Sequence, residues 1–263
     1  MFRAIYTAAS GMIAQQYNLD NVANNLANAS TAGFRRRRLQ FEDLLYQDLV
    51  TPGAAATQQT TYSSGLQIGL GTRSSTSEVV QTQGDATSTG NALDLMIEGQ
   101  GFFQVRQPDG QTAYTRSGSF QLDQQGNIIT ADGNALQPAI TIPANALSTT
   151  IGSDGTVSVT LPGQSQSQQL GVIQLATFPN PGGLQSIGQN LLLPTTASGE
   201  AIVGNPGGSE GLGSLQQGML EQSNVDVVEE FVRMILTQRA YEANSRVVEA
   251  ANGMYENLNN ISR

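Results

Sequence analysis

Five carboxylates, Asp94, Glu98, Asp109, Asp123 and Asp132, lie close together in the middle of the chain. Two carboxylates at a suitable separation are the equipment of glycoside hydrolysis. Most of these five, however, occupy Asp-Gly positions or the edges of strand-like runs, as in Asp109-Gly110 and Asp132-Gly133. An aspartate there ordinarily serves the backbone of a turn. The chain has 0 His and 0 Cys. It therefore lacks the usual general base near neutral pH, thiol nucleophiles and soft metal ligands. Glu98-Gly99-Gln100-Gly101-Phe102-Phe103 has closely spaced glycines, but no Lys-Ser/Thr follows and no helix opens there, so it is no phosphate loop. It reads as a tight turn aiming Phe102 or Phe103 into a core. No catalytic residue, metal ligand or cofactor is expected.

Arg35-Arg36-Arg37-Arg38 is the other chemically conspicuous group. Four consecutive arginines suit a nucleic-acid or anionic-lipid surface. Against that stand a net charge of −9 and the lack of interleaved aromatics. The run follows a helix C-terminus, where cations are favoured. Glu42, Asp43 and Asp48 lie within reach to neutralise it. Structural or intersubunit pairing is the expectation, with no nucleic acid among the partners.

The elements that must carry these residues are of three kinds. From about 3 to 31, Ile5, Ala8, Met12, Leu19, Val22 and Leu26 fall on a helical stripe, with Gly33 as a stop. From about 224 to 261 a second helix is expected, with Asn224 as N-cap and Asp226, Glu229 and Glu230 in its first turns. Its apolar positions make two stripes, Val225, Val228, Val232 and Ile235, then Ala240, Val247, Ala251, Met254, Leu258 and Ile261, which shift phase near Gln238. Between about 90 and 205, short alternating runs such as Phe102–Val105 and Thr156–Leu161 are punctuated by Asp-Gly turns, the pattern of an all-β domain. Residues 34–89 have little to build a core from, and a loop of that length is either disordered or extended along something else.

The fold class is therefore α+β. N- and C-terminal helices form a coiled-coil-like pair (1–33 with 222–263). A long extended segment connects (34–89, including 46–77), and a central all-β domain spans 90–221. Isolated amphipathic helices are marginal in water, so the ends need partners. Two solutions stand: a weak helix pair completed by other copies of the chain, or two helices packed on the β domain of an ordinary monomer. No apolar run of about 18 residues exists, so no membrane span is expected. Gln15, Gln16, Asn18, Asp20 and Asn21 interrupt any Sec-type signal. Zero Cys suits a chain that crosses an oxidising space unfolded.

Three segments resemble one family. Asn24-Asn25-Leu26-Ala27-Asn28-Ala29-Ser30-Thr31-Ala32-Gly33-Phe34 is similar to the N-terminal signature of bacterial flagellar rod and hook proteins. Gly99–Phe103 with Tyr114–Phe120 resembles their central β motif, and Gln238–Ser245 their C-terminal motif. Ser64–Thr72, Gln137–Pro143 and Leu184–Asn190 look like distal-rod members, as does the long stretch 46–77. The run of four arginines departs from the family's usual mixture.

The resemblance implies a structural subunit that polymerises with itself into a helical homopolymer. The tube would be rigid, surround an export channel and act as a drive shaft. The implied partners are proximal rod proteins, the hook protein at the distal end, the P- and L-ring proteins and the flagellar type III export apparatus. The implied location is the periplasmic rod of the basal body, reached without a cleaved signal. Contacts between subunits are expected at Ile5, Met12, Leu19, Val22, Leu26, Phe34, Tyr62, Leu66, Ile68, Val228, Ile235, Tyr241, Val247, Met254 and Leu258. The alternatives are a proximal rod or hook subunit, and a secreted carbohydrate-active enzyme on a β scaffold.

Overall fold

The computed structural model describes residues 2–53, 63–163, 166–208 and 211–261, with backbone alone for Leu258, Asn259 and Ile261. The chain divides into two compact units, each assembled from separate stretches. The first comprises Met1–Ala27, Arg37–Glu78 and Asp226–Arg263, the second Asn28–Arg36 and Val79–Val225.

The first unit holds helix α1, Phe2–Ala27, strands β1 (Arg37–Asp43), β2 (Tyr46–Val50), β3 (Leu66–Gly69) and β4 (Thr72–Val79), and helix α2, Val227–Ile261. Helix α2 is capped two residues later than expected. Asp226 caps it, its Oδ1 accepting the amides of Val228 at 2.8 Å and Glu229 at 3.1 Å. Side-chain acceptors of this kind satisfy amides that have no partner within a helix. Asn224, the residue expected to cap, serves the second unit instead. It accepts the Arg36 amide at 2.7 Å and donates to the carbonyls of Val80 and Thr82. Both residues are competent caps, and the path of the chain chooses between them.

The described part of 34–89 is a strand ladder. β1 pairs with β4, and β2 pairs antiparallel with β3, with a register shift between Asp48 and Val50. Apolar patterning missed these strands because backbone pairing needs no buried face. Tyr46, Leu49 and Leu66 all remain exposed. The ladder is stitched to α1 by Ser10, whose Oγ accepts the Thr72 amide at 3.3 Å.

The second unit is β-rich and has its own core. A nine-stranded sheet contains the central strand Phe102–Arg106, paired with Thr112–Thr115, Ala135–Gln137 and Leu175–Thr177. Alternation along that strand sends neighbours to opposite faces. Phe103 enters the main cluster with Leu136, Val157 and Phe120, meeting the Phe120 ring edge-on at 5.1 Å. Phe102 enters a second cluster with Tyr114 and Phe178. The apolar run from Gly171 to Ala176 is split between two sheets. Gln168–Val172 pairs with Thr156–Thr160, whereas Leu175–Thr177 joins the nine-stranded sheet.

Candidate assembly interface

Two of the expected carboxylates, Asp109 and Asp123, serve the backbone of the second unit. Asp109 Oδ1 accepts the Gln111 amide at 2.9 Å. Asp123 accepts the amides of Gln125 and Asn127 and the Asn127 side chain. Those hydrogen bonds, the Asn127 side chain first, hold its carboxyl below the usual range. Asp94 is buried and accepts from Thr89 Oγ1 at 2.6 Å and Asn91 Nδ2 at 3.0 Å. Glu98 accepts from Gln216.

The arginine run divides between the two units. Arg35 and Arg116 converge on one buried carboxylate, Glu221, at 2.7 and 2.6 Å. Arg116 also donates to the carbonyls of Ile97, Gly99 and Gly101, and Arg35 to that of Thr82. Burial works against the Arg35 charge, and Glu221 opposes that effect. Gly33, in the same segment, donates its amide to the Glu221 carbonyl at 2.8 Å. The Asn24–Phe34 and Tyr114–Phe120 motifs therefore meet in one clasp. In the first unit, Arg38 pairs with Glu78 at 2.8 Å, and Glu42 with Arg73 and Ser75. Hydrogen bonds from Ser75 and then Arg73 lower the Glu42 pKa. Arg35 and Arg38 are thus answered by Glu221 and Glu78, not by Glu42, Asp43 and Asp48 as expected. Alternate residues of β1 share a face and find partners on the paired strand β4, not further along the same strand.

The helix pair has an unusual seam. The helices run antiparallel, and contacts recur every seven residues on both. Asn25 Nδ2 donates to Glu230 Oε2 at 3.4 Å and to the Arg37 carbonyl at 2.9 Å. One heptad along, Asn18 Nδ2 donates to Thr237 Oγ1 at 2.9 Å. One further, Gly11 faces Asn244 so closely that a Cβ would lie 2.8 Å from its Nδ2. The next heptad position on α2 is Ala251, also buried. Phe2 closes the far end against Tyr255, with ring centroids 5.3 Å apart. Glu230 is 0% exposed. Within the pair, α2 thus buries polar and small residues.

Its large apolar residues face outward. Val228 is 73% exposed, Ile235 55% and Leu236 64%. Phe231, Val232, Tyr241, Val247 and Met254 are exposed as well. On α1, Val22 is buried and Ile5, Met12, Leu19 and Leu26 are half-buried, while Phe2, Tyr6, Ile13 and Tyr17 are exposed. Leu66 is exposed, Ile68 half-buried, and Phe34 half-buried in the second unit. Tyr62 and the Leu258 side chain lie outside the described residues. A groove of about 500 Å3 opens beside the first turns of α1, lined by Phe2, Arg3, Tyr6, Thr7, Leu44, Leu45 and Leu70. Phe231, Leu236, Tyr6 and Leu45 were absent from the expected contacts. The 3-4 spacing from Val228 would have found the first two.

A helix pair sealed by polar residues and apolar outside is the make-up of a subunit in a larger assembly. Comparison with known proteins agrees. Residues 5–35 match the flagella basal body rod protein family, 96–159 the flagellar hook protein FlgE/F/G D1 domain, and 216–261 the flagellar basal body rod FlgEFG protein C-terminal region. Flagellar basal-body rod protein FlgG of Buchnera aphidicola (subsp. Schizaphis graminum) is 46% identical over 261 residues, covering 99% of this chain and 100% of that one. FlgG of Borreliella burgdorferi is 45% identical over 265 residues and that of Bacillus subtilis 40% over 267, each covering 100% of both chains. The chain belongs to the flagellar basal-body rod protein family, as a structural rod subunit of the FlgG type.

Proposed function

We propose that this chain polymerises with itself into the distal rod, a rigid helical tube in the periplasm that surrounds the export channel and turns as a drive shaft. The observation that carries this is the apolar outer face of α2, from Val228 to Leu236, on a helix whose inner seam is polar. Such a face is stable in water only when covered, and copies of the same chain joined head to tail without closing a ring build a helical tube. The stretch 46–77 lies along a neighbouring subunit and stiffens the tube. The role is mechanical rather than catalytic, consistent with carboxylates that are engaged in turns. The wider partners of this reading are the proximal rod proteins, the hook protein, the P- and L-ring proteins and the type III export apparatus, through which the chain leaves the cell. Electron microscopy of the purified chain under assembling conditions tests the reading. Straight tubes are expected, and a chain that stays monomeric at high concentration would overturn it.

A further inference from the structure

Two apolar surfaces of the first unit are uncovered, and they lie at opposite ends of its helix pair. One is a stripe on α2 made by Val228, Phe231, Val232, Ile235 and Leu236. Its spacing of 3, 4, 7 and 8 residues from Val228 is that of a helix face read by a groove. The other is the groove of about 500 Å3 beside the start of α1, lined chiefly by Phe2, Tyr6, Leu44, Leu45 and Leu70. The Phe2 ring rests on Tyr255, so the groove belongs to the opposite end of α2 from the stripe. At about 1.5 Å per residue, Val232 and Tyr255 are roughly 35 Å apart along the helix. One subunit's stripe therefore cannot fill its own groove while the pair is intact.

We propose that the α2 stripe of one subunit seats in the apolar groove of a second copy of this chain, as the axial contact of the tube. The proposal rests on the reading of the chain as a polymerising subunit and names the surfaces that join. Three features select a second copy as occupant. The surfaces are different and lie at opposite ends, so the contact is heterologous, the kind from which an open filament is built. The stripe is a helix face and the groove is concave, so the one can seat in the other. The charges also match. Arg3 is the one charged residue lining the groove and forms no ion pair among the described residues, while the stripe is flanked by Asp226 and by the Glu229–Arg233 ion pair, which together leave one negative charge. Desolvating apolar surfaces between opposite charges favours one register over others.

The chain has 0 Cys, so introduced thiols are the only ones present. Leu45, 84% exposed, marks the groove and Leu236, 64% exposed, marks the stripe. Leu45→Cys, Leu236→Cys and the double variant are assembled into rods and treated with a short bifunctional maleimide. The double variant should give a ladder of covalent multimers. An equal mixture of the two single variants should give covalent dimers, and either single variant alone should give none. Rods without cross-links would overturn the pairing and mean that another segment or another protein fills the groove. Dimers from one single variant alone would mean groove meets groove or stripe meets stripe, and would overturn it too. Wild-type chain that forms no rods would instead sink the assembly reading itself.

Discussion

Gly33 has φ +71°, and a Cβ placed on it would lie 2.7 Å from the Arg116 carbonyl carbon and the Ser117 amide. Both constraints forbid a side chain. Gly33→Ala should lower unfolding free energy by about 1–3 kcal/mol, the usual cost of a strained backbone position. Urea denaturation of the monomer measures it, and an unchanged midpoint would refute the tight approach. Glu221 is a second such point. It is 2% exposed in its side chain and answers two buried guanidinium groups. Glu221→Gln leaves both without a counter-charge and should cost about 3–5 kcal/mol. The same denaturation reads it, and a loss under about 1 kcal/mol would mean that water reaches the cluster. Gly33 was expected as a helix stop, but α1 ends at Ala27, and the neighbours that hold Gly33 were not legible. The residues that constrain it are far away in sequence, and Arg116 and Glu221 are themselves 105 positions apart.

At the scale of elements, the helix pair is held by a weak seam. Polar pairs such as Asn18 with Thr237 contribute little net stability, but they specify how two helices align. Asn18→Leu combined with Thr237→Leu should therefore slow amide exchange across both helices while permitting alternative registers. Exchange by NMR or mass spectrometry tests this, and faster exchange would show that the polar pair is the stronger one. Hydrophobic periodicity located both helices to within a few residues. It left the cover of the stripes open, because it finds where apolar residues gather and not what they face. Val228, Val232 and Ile235 do gather, and they face away from α1. The hydrogen-bonded ladder of β1 to β4 was invisible to the same method, since Tyr46, Leu49 and Leu66 alternate with no buried face to reveal them.

For the whole molecule, stability and assembly draw on different residues. The second unit closes its core with residues such as Phe103, Val157 and Leu175, each 0% exposed. The first unit keeps its largest apolar side chains outside. Deleting residues 46–77 removes β2, β3 and most of β4 while leaving that core intact. The deleted chain should retain the far-ultraviolet signature of its β unit, but its rods should be flexible or fail to form. Straight rods of normal stiffness would count against a stiffening role for this stretch.

The amino-acid sequence by itself determined the order of the pieces: helix, poorly patterned connector, β domain, helix. It also made assembly a live reading, because 3-4 stripes at both ends demand cover, and the three motifs pointed to one family. Those are consequences of local chemistry, of periodicity, turn residues and the absence of His and Cys. Only the tertiary structure decided which faces are covered within the chain. It set Glu230, Thr237 and Ala251 inward and Val228, Phe231 and Ile235 outward, and brought Gly33, Arg35, Arg116 and Glu221 into one clasp. A face is chosen by competition among all possible partners, near and distant, and no window along the chain contains that comparison.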